Sequence, residues 1–114
     1  MGGSFKTDPG HSNVRLQPLR LAMRKEHLFD AAKELVEDLS SWVLDSADEE
    51  AMTLSCTRSG GVLTGDSKVT IRIEGPEEIP NSTVHVSSAT DGGLLKRDKA
   101  VVLEFMVPFH RRVC

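Results

Sequence analysis

The residues best placed for chemistry are Arg72 and His85. Each occupies a polar position in a segment where residues alternate: Val69, Ile71 and Ile73 against Lys68, Thr70, Arg72 and Glu74, then Val84 and Val86 against Thr83, His85 and Ser87. A period of two sends alternate side chains to opposite faces of a strand. Arg72 and Thr70 therefore share the polar face of one strand, and His85 and Ser87 that of the other. On one sheet these four would gather a guanidinium, an imidazole and two hydroxyls, able to grip an anion or to assist acid–base chemistry. The same face also suits the solvated side of a two-layer sandwich. Arg72, His85, Thr70 and Ser87 are the candidate ligand-binding residues, and no residue is assigned a catalytic role.

A second motif comes close to nucleotide chemistry. Gly60, four residues and Gly65 are followed by Asp66 and Ser67, where a phosphate loop places Lys and a hydroxyl before a helix. An acid takes the place of the required cation, and the segment that follows has the period of a strand. The glycines read as the turn between two antiparallel strands.

The other polar groups are less specific. "DSADEE", Asp45 to Glu50, lacks the central Gly and distal Glu of a calcium loop and reads as a solvated hairpin turn. His11, His27, His85 and His110 show no short metal-ligand spacing. Cys56 reads as a small apolar strand residue and Cys114 as an exposed terminal thiol. No Ser-His-Asp or Cys-His set can be assembled. Neither a metal nor a cofactor is expected, and an enzyme is less favoured than a binding protein.

The elements that would carry these residues follow from periodicity. Residues 1–13, rich in Gly, Ser, Asp and Pro, read as a flexible tail, and a single domain is expected over 14–114. "VRLQPLRLAM" alternates as a strand with a slip at Pro18. Leu28, Ala32, Leu35 and Leu39 recur at three and four, which predicts a helix over Glu26 to Leu39. "WVLDS", "MTLSCTR", "KVTIRIE" and "TVHVSS" then predict four strands in an antiparallel meander. From Leu95 to Val113 the apolar stripe suits a second helix, while Val101, Leu103, Phe105 and Val107 equally suit a fifth long strand. The expected fold is α+β, a single antiparallel sheet of four to five strands with two helices packed on one face, in the order β-α-β-β-β-β-α.

Bulk properties exclude several function classes. The 114 residues, with 39% hydrophobic and 27% charged content, suit one soluble globular domain. A formal net charge of -3 argues against nucleic acid. "KRDK", Arg111 and Arg112 are basic, but no aromatic residue lies on the central strands to stack bases. The longest apolar run, Ala100 to Phe109, is broken by Glu104 and Pro108 and is too short to span a bilayer. The start is Met-Gly with Lys6 at the sixth position, where the myristoylation pattern wants Ser or Thr. A cytoplasmic location is expected, since neither a signal peptide nor a transmembrane segment is present; a leader removed earlier would leave the same sequence.

With this layout the chain resembles a shortened helix-grip protein, in which an antiparallel sheet wraps a C-terminal helix over an apolar cavity. "SSWVLDSADEEAMTLSCTR", "GDSKVTIRIEG", "VHVSSAT" and "KRDKAVVLEFM", spanning Ser40 to Met106, more closely resemble the bacterial and plastid domain of unknown function 1499. That family runs from a helix to a tryptophan-bearing strand and an acidic hairpin. A V-x-I-R strand, a V-x-V-x-S strand and an Arg/Asp loop then lead to the last helix. This chain departs at "VSSAT" and at Asp98-Lys99-Ala100. The resemblance implies a small α+β domain with no established activity. The reading is a non-catalytic module that binds a small molecule or a protein, in the sheet-to-helix crevice or at a sheet edge that could pair two copies. The alternative is a small enzyme using His85 and Arg72.

Overall fold

The computed structural model describes residues 3–60, 65–91 and 97–113. The three-and-four spacing of Leu28, Ala32 and Leu35 produces helix α1, Lys25–Asp38, which buries those residues with Phe29 and Val36. Ser41 takes a positive φ of 67° between this helix and the next strand. The four predicted strands follow: β3 at Trp42–Asp48, β4 at Thr53–Arg58, β5 at Asp66–Glu74 and β6 at Ser82–Asp91.

Two further strands precede α1 and were not expected in this form. Gly3–Lys6 is strand β1, so these four residues of the segment read as a tail belong to the sheet. It pairs antiparallel with the far end of β6, Ser4 opposite Ala89 and Lys6 opposite Ser87. "VRLQPLRLAM" does not form one strand. Val14–Leu16 is a 3-10 turn capped by the Asn13 side chain, and only Leu19–Leu21 is extended, as β2 against Val84 to Ser82 of β6. Pro18 separates the two pieces. One edge of the ten-residue β6 is thus covered in relay by β1 and β2. Thr7 bridges the two, its N–H donating to the Val86 carbonyl at 2.9 Å and its hydroxyl accepting from the Val86 N–H at 3.2 Å.

The sheet is therefore six-stranded, in the order β1-β6-β5-β4-β3 with β2 also on β6, where four or five strands were expected. β3 forms the opposite edge. Its register shifts between Leu44 and Ser46, and Asp45 and Asp48 line it, two features that work against strand addition from another chain.

Ala100 to Phe109 is helical. Helix α2, Asp98–Val113, buries Val101, Val102, Phe105, Met106 and Phe109, a stripe spaced at one, three, one and three that only a helix brings together. Strand alternation would have matched Leu103 and Val107 to Phe105, and both are only half-buried. Pro108 is tolerated inside the helix, next to the stacked pair of Phe105 and Phe109, whose ring centroids lie 4.9 Å apart. Burial of each of these rings contributes about 2–3 kcal/mol. Leu95 and Lys96, assigned to this region from sequence, lie outside the described residues.

Both helices cover one sheet face, and the space between the layers is filled. Leu54, Val69, Ile71, Val84 and Val86 from the sheet, and Val102, Phe105, Met106 and Phe109 from α2, are each 1% exposed or less. A void large enough for water would leave its lining exposed to that void, and these side chains have none beside them. Among the described residues, then, the crevice expected to admit an apolar ligand is core. No described helix is long and apolar enough to cross a membrane.

Candidate functional site

The open face of the sheet brings the four candidate residues together. In the β5–β6 register Arg72 stands opposite His85, and Thr70 opposite Ser87. Burial along β5 alternates strictly, with Ser67, Val69, Ile71 and Ile73 inward and Lys68, Thr70, Arg72 and Glu74 outward. This is why the pairing in the register becomes adjacency on one face.

Glu74 joins the set. Its Oε1 lies 2.8 Å from Arg72 Nη1 and 2.6 Å from His85 Nε2. The hydrogen bond from Arg72 is the main reason its carboxyl sits below the usual range; desolvation opposes the shift, and the Arg72 and His85 charges and the His85 hydrogen bond add to it. Further along the face Lys68 Nζ donates to Thr57 Oγ1 at 2.7 Å, and that hydroxyl donates to Asp45 Oδ2 at 2.5 Å.

Lys68, Thr70 and Arg72 of β5, with His85 and Ser87 of β6, form the floor of an open groove of about 1070 Å³. Its other wall is the N-terminal segment, with Ser4 and Lys6 of β1 and then Asp8, Pro9 and Pro18 of the excursion that follows. Asp8 shapes that excursion by accepting from the Gly10 N–H at 2.9 Å, while its own N–H donates to the Leu16 carbonyl at 3.0 Å. The groove thus combines Lys6, Lys68, Arg72 and His85 with the hydroxyls of Ser4, Thr70 and Ser87 and, among the described residues, a single acid in its lining, Asp8. Such a surface attracts and hydrogen-bonds a small anion.

Sequence reasoning missed Lys6 and Ser4 because composition assigned residues 1–13 to a tail. The available signal was the alternation of Ser4 and Lys6 around Phe5. Phe5 packs against the core and meets the His11 ring edge-on at 5.7 Å.

The remaining motifs resolve into structural roles. Asp66 opens β5 and accepts from the Gly60 N–H at 3.2 Å, and Gly65 takes a φ of 68°. A strand, not a helix, follows the second glycine; residues 61–64 of that loop lie outside the described set. The acidic segment belongs to β3 as far as Asp48, whose Oδ1 accepts from the Ala51 N–H at 3.0 Å across the turn. Among the described residues no cluster of His, Cys, Asp and Glu could hold a metal. Cys56 is buried, and burial pushes its thiol up to about 12, helped by the Asp45 charge. Cys114 lies outside the described residues.

The inner face carries buried polar groups at both ends of β6: at its start Ser82 Oγ donates to the Met23 carbonyl at 2.8 Å, and a larger cluster lies at its far end. Ser88 Oγ and Thr90 Oγ1 both donate to Asp98 Oδ1, at 2.7 and 2.6 Å. With its proton committed there, Thr90 accepts from Ser67 Oγ at 2.7 Å. A second tie holds the middle of α2. Glu104, the acid that interrupts the apolar run, takes Arg58 Nε at 3.2 Å and Nη2 at 2.7 Å, and its Oε1 also accepts from Trp42 Nε1 at 3.0 Å.

In comparison with solved structures, the fold is similar to the crystal structure of Ara h 8.0201. The TM-score is 0.63 over 99% of this chain and 98% of that one, at 13% sequence identity. At that identity the likeness is one of fold, and it fits the helix-grip arrangement of an antiparallel sheet around a C-terminal helix. No family model and no curated protein matches the chain. The resemblance of Ser40 to Met106 to the domain of unknown function 1499 therefore rests on its motifs alone.

Proposed function

We propose that this chain is a non-catalytic binding module and that its ligand is a small anion held in the groove on the outer sheet face. The observation that carries the reading is the convergence of Arg72, His85, Thr70 and Ser87 from β5 and β6 with Lys6 and Ser4 from β1 around one open groove. The filled interior supports the same choice of face, because among the described residues the core side chains between sheet and helix leave no room beside them. The buried Cys56 thiol, held far above neutral pH, is no nucleophile.

The test is a titration of the isotope-labelled protein with sodium octanoate at constant ionic strength, followed by amide chemical shifts, with 1-octanol as the uncharged control. Shifts confined to Lys6, Thr70, Arg72, His85 and Ser87, and absent with octanol, are expected. Shifts centred on Leu54, Val102 and Phe105, or none short of micelle formation, would count against the groove.

A further inference from the structure

Glu74 is the last residue of β5 and stands outside the lining of the groove. Even so, a single oxygen of its carboxylate is shared by Arg72 Nη1 at 2.8 Å and His85 Nε2 at 2.6 Å, both groups of the groove floor. Two donors from neighbouring strands that meet on one carboxylate oxygen form a carboxylate seat. In this structure the protein's own side chain fills it.

We propose that the groove takes small organic acids with an apolar body, and that the ligand's carboxylate binds by replacing Glu74 on Arg72 and His85. The inference rests on the groove being the binding site. Its first support is the geometry of the seat, which is already arranged for a carboxylate. Its second is exposure: the side chains of Glu74, Arg72 and His85 are 54%, 47% and 31% exposed. Ion pairs this wet are weak and readily exchanged, because water and salt screen them. The surroundings define the rest of the ligand. Elsewhere in the groove Pro9, Pro18 and Ala89 offer apolar wall, while Thr70 and Ser87 offer hydroxyls on its floor. Once displaced, Glu74 keeps its charge close to the bound acid, and like charges repel. Glu74 therefore lowers affinity even as it yields its place.

The test compares the wild type, Glu74→Gln and Arg72→Ala by calorimetric titration with sodium octanoate and with inorganic phosphate at constant ionic strength. Thermal melts establish that each variant is folded. Glu74→Gln is expected to bind octanoate about two- to fivefold tighter than the wild type, the range set by an exposed ion pair. Arg72→Ala is expected to lose binding, and phosphate to compete poorly with octanoate. If Glu74→Gln binds no tighter while binding still depends on Arg72, replacement is overturned and the groove stands. If phosphate displaces octanoate at equal concentration, the ligand class is overturned. Absence of binding of both octanoate and phosphate in all three proteins would overturn the groove itself and this inference with it, whereas phosphate binding without octanoate binding would overturn the ligand class and leave the groove.

Discussion

Ser88 on β6 donates its hydroxyl to Asp98, the first residue of α2, at 2.7 Å inside the protein. Ser88 is 2% exposed and Asp98 5%, so this contact joins the end of the sheet to the start of the helix in a site from which water is largely excluded. Thr90 makes the second bond to the same oxygen and receives Ser67 in turn. A buried hydroxyl left without its partner carries a desolvation cost. Asp98→Ala should therefore destabilise the protein by about 2 kcal/mol, and Asp98→Asn, which keeps an acceptor oxygen, by less. Urea unfolding followed by circular dichroism measures both, as a lower midpoint at unchanged slope.

The clamp of Arg58 and Trp42 on Glu104 can be apportioned in the same way. Arg58 and Glu104 side chains are 21% and 36% exposed, and the two-nitrogen geometry favours the pair while solvent discounts it. A double-mutant cycle of Arg58→Ala and Glu104→Ala should return a coupling of about 1 kcal/mol. Trp42 is the one tryptophan of the chain, so its emission reports the loss of the indole hydrogen bond in Glu104→Ala before any unfolding.

Cys56 should be inert in the native protein. With its thiol pushed up to about 12 by burial, almost no thiolate exists at pH 8. In a Cys114→Ser background, a thiol-specific chromogenic reagent at that pH should find no reactive group until denaturant is added. The raised value also sets a direction for stability. The unfolded thiol ionises near 9.0 and the folded one near 12, so the contribution is complete below the first value and is lost as pH rises between them.

His110 titrates in the opposite sense. Its Nε2 is buried without a hydrogen-bond partner among the described residues, and burial, then the charge of Arg15, lowers its pKa from the ordinary 6.5. The unfolded chain therefore takes up the proton first. Stability is complete above that ordinary value and falls as pH drops through it towards the lowered folded value. A His110→Phe variant should flatten this part of the stability profile, measured as the urea midpoint between pH 5 and pH 8. An equally steep fall in the variant would assign the effect elsewhere.

The sheet's central strands were legible because their burial is local in pattern. Each polar residue of β5 alternates with an apolar one, and any register that buries Val69 and Ile71 sends Arg72 outward. That placed Arg72 on the face where His85 lies. β1 was illegible for the opposite reason. Gly3–Lys6 has little apolar content, and its partners, Thr90 to Ser87, lie at the other end of the chain. The hydrogen-bonding groups of the β6 edge, with Phe5 against the core, make it a strand. Glu74 was visible as a polar position, while its shared oxygen between Arg72 and His85 depends on side-chain directions that no spacing encodes.

What the sequence by itself determined is the set of faces: helix α1 with its apolar stripe, four strands with one side to the core, and Thr70, Arg72, His85 and Ser87 on the other side. Periodicity suffices for this, since burial requires each side chain's direction relative to its own backbone. The tertiary structure decided what those faces meet. It made Ala100 to Phe109 a helix, because the layer above the sheet needs Val102, Phe105 and Phe109 on one stripe. It filled the crevice between the layers, and it brought Lys6 to the groove through β1. Those outcomes rest on contacts between residues far apart in the chain, and only the fold brings such residues within reach.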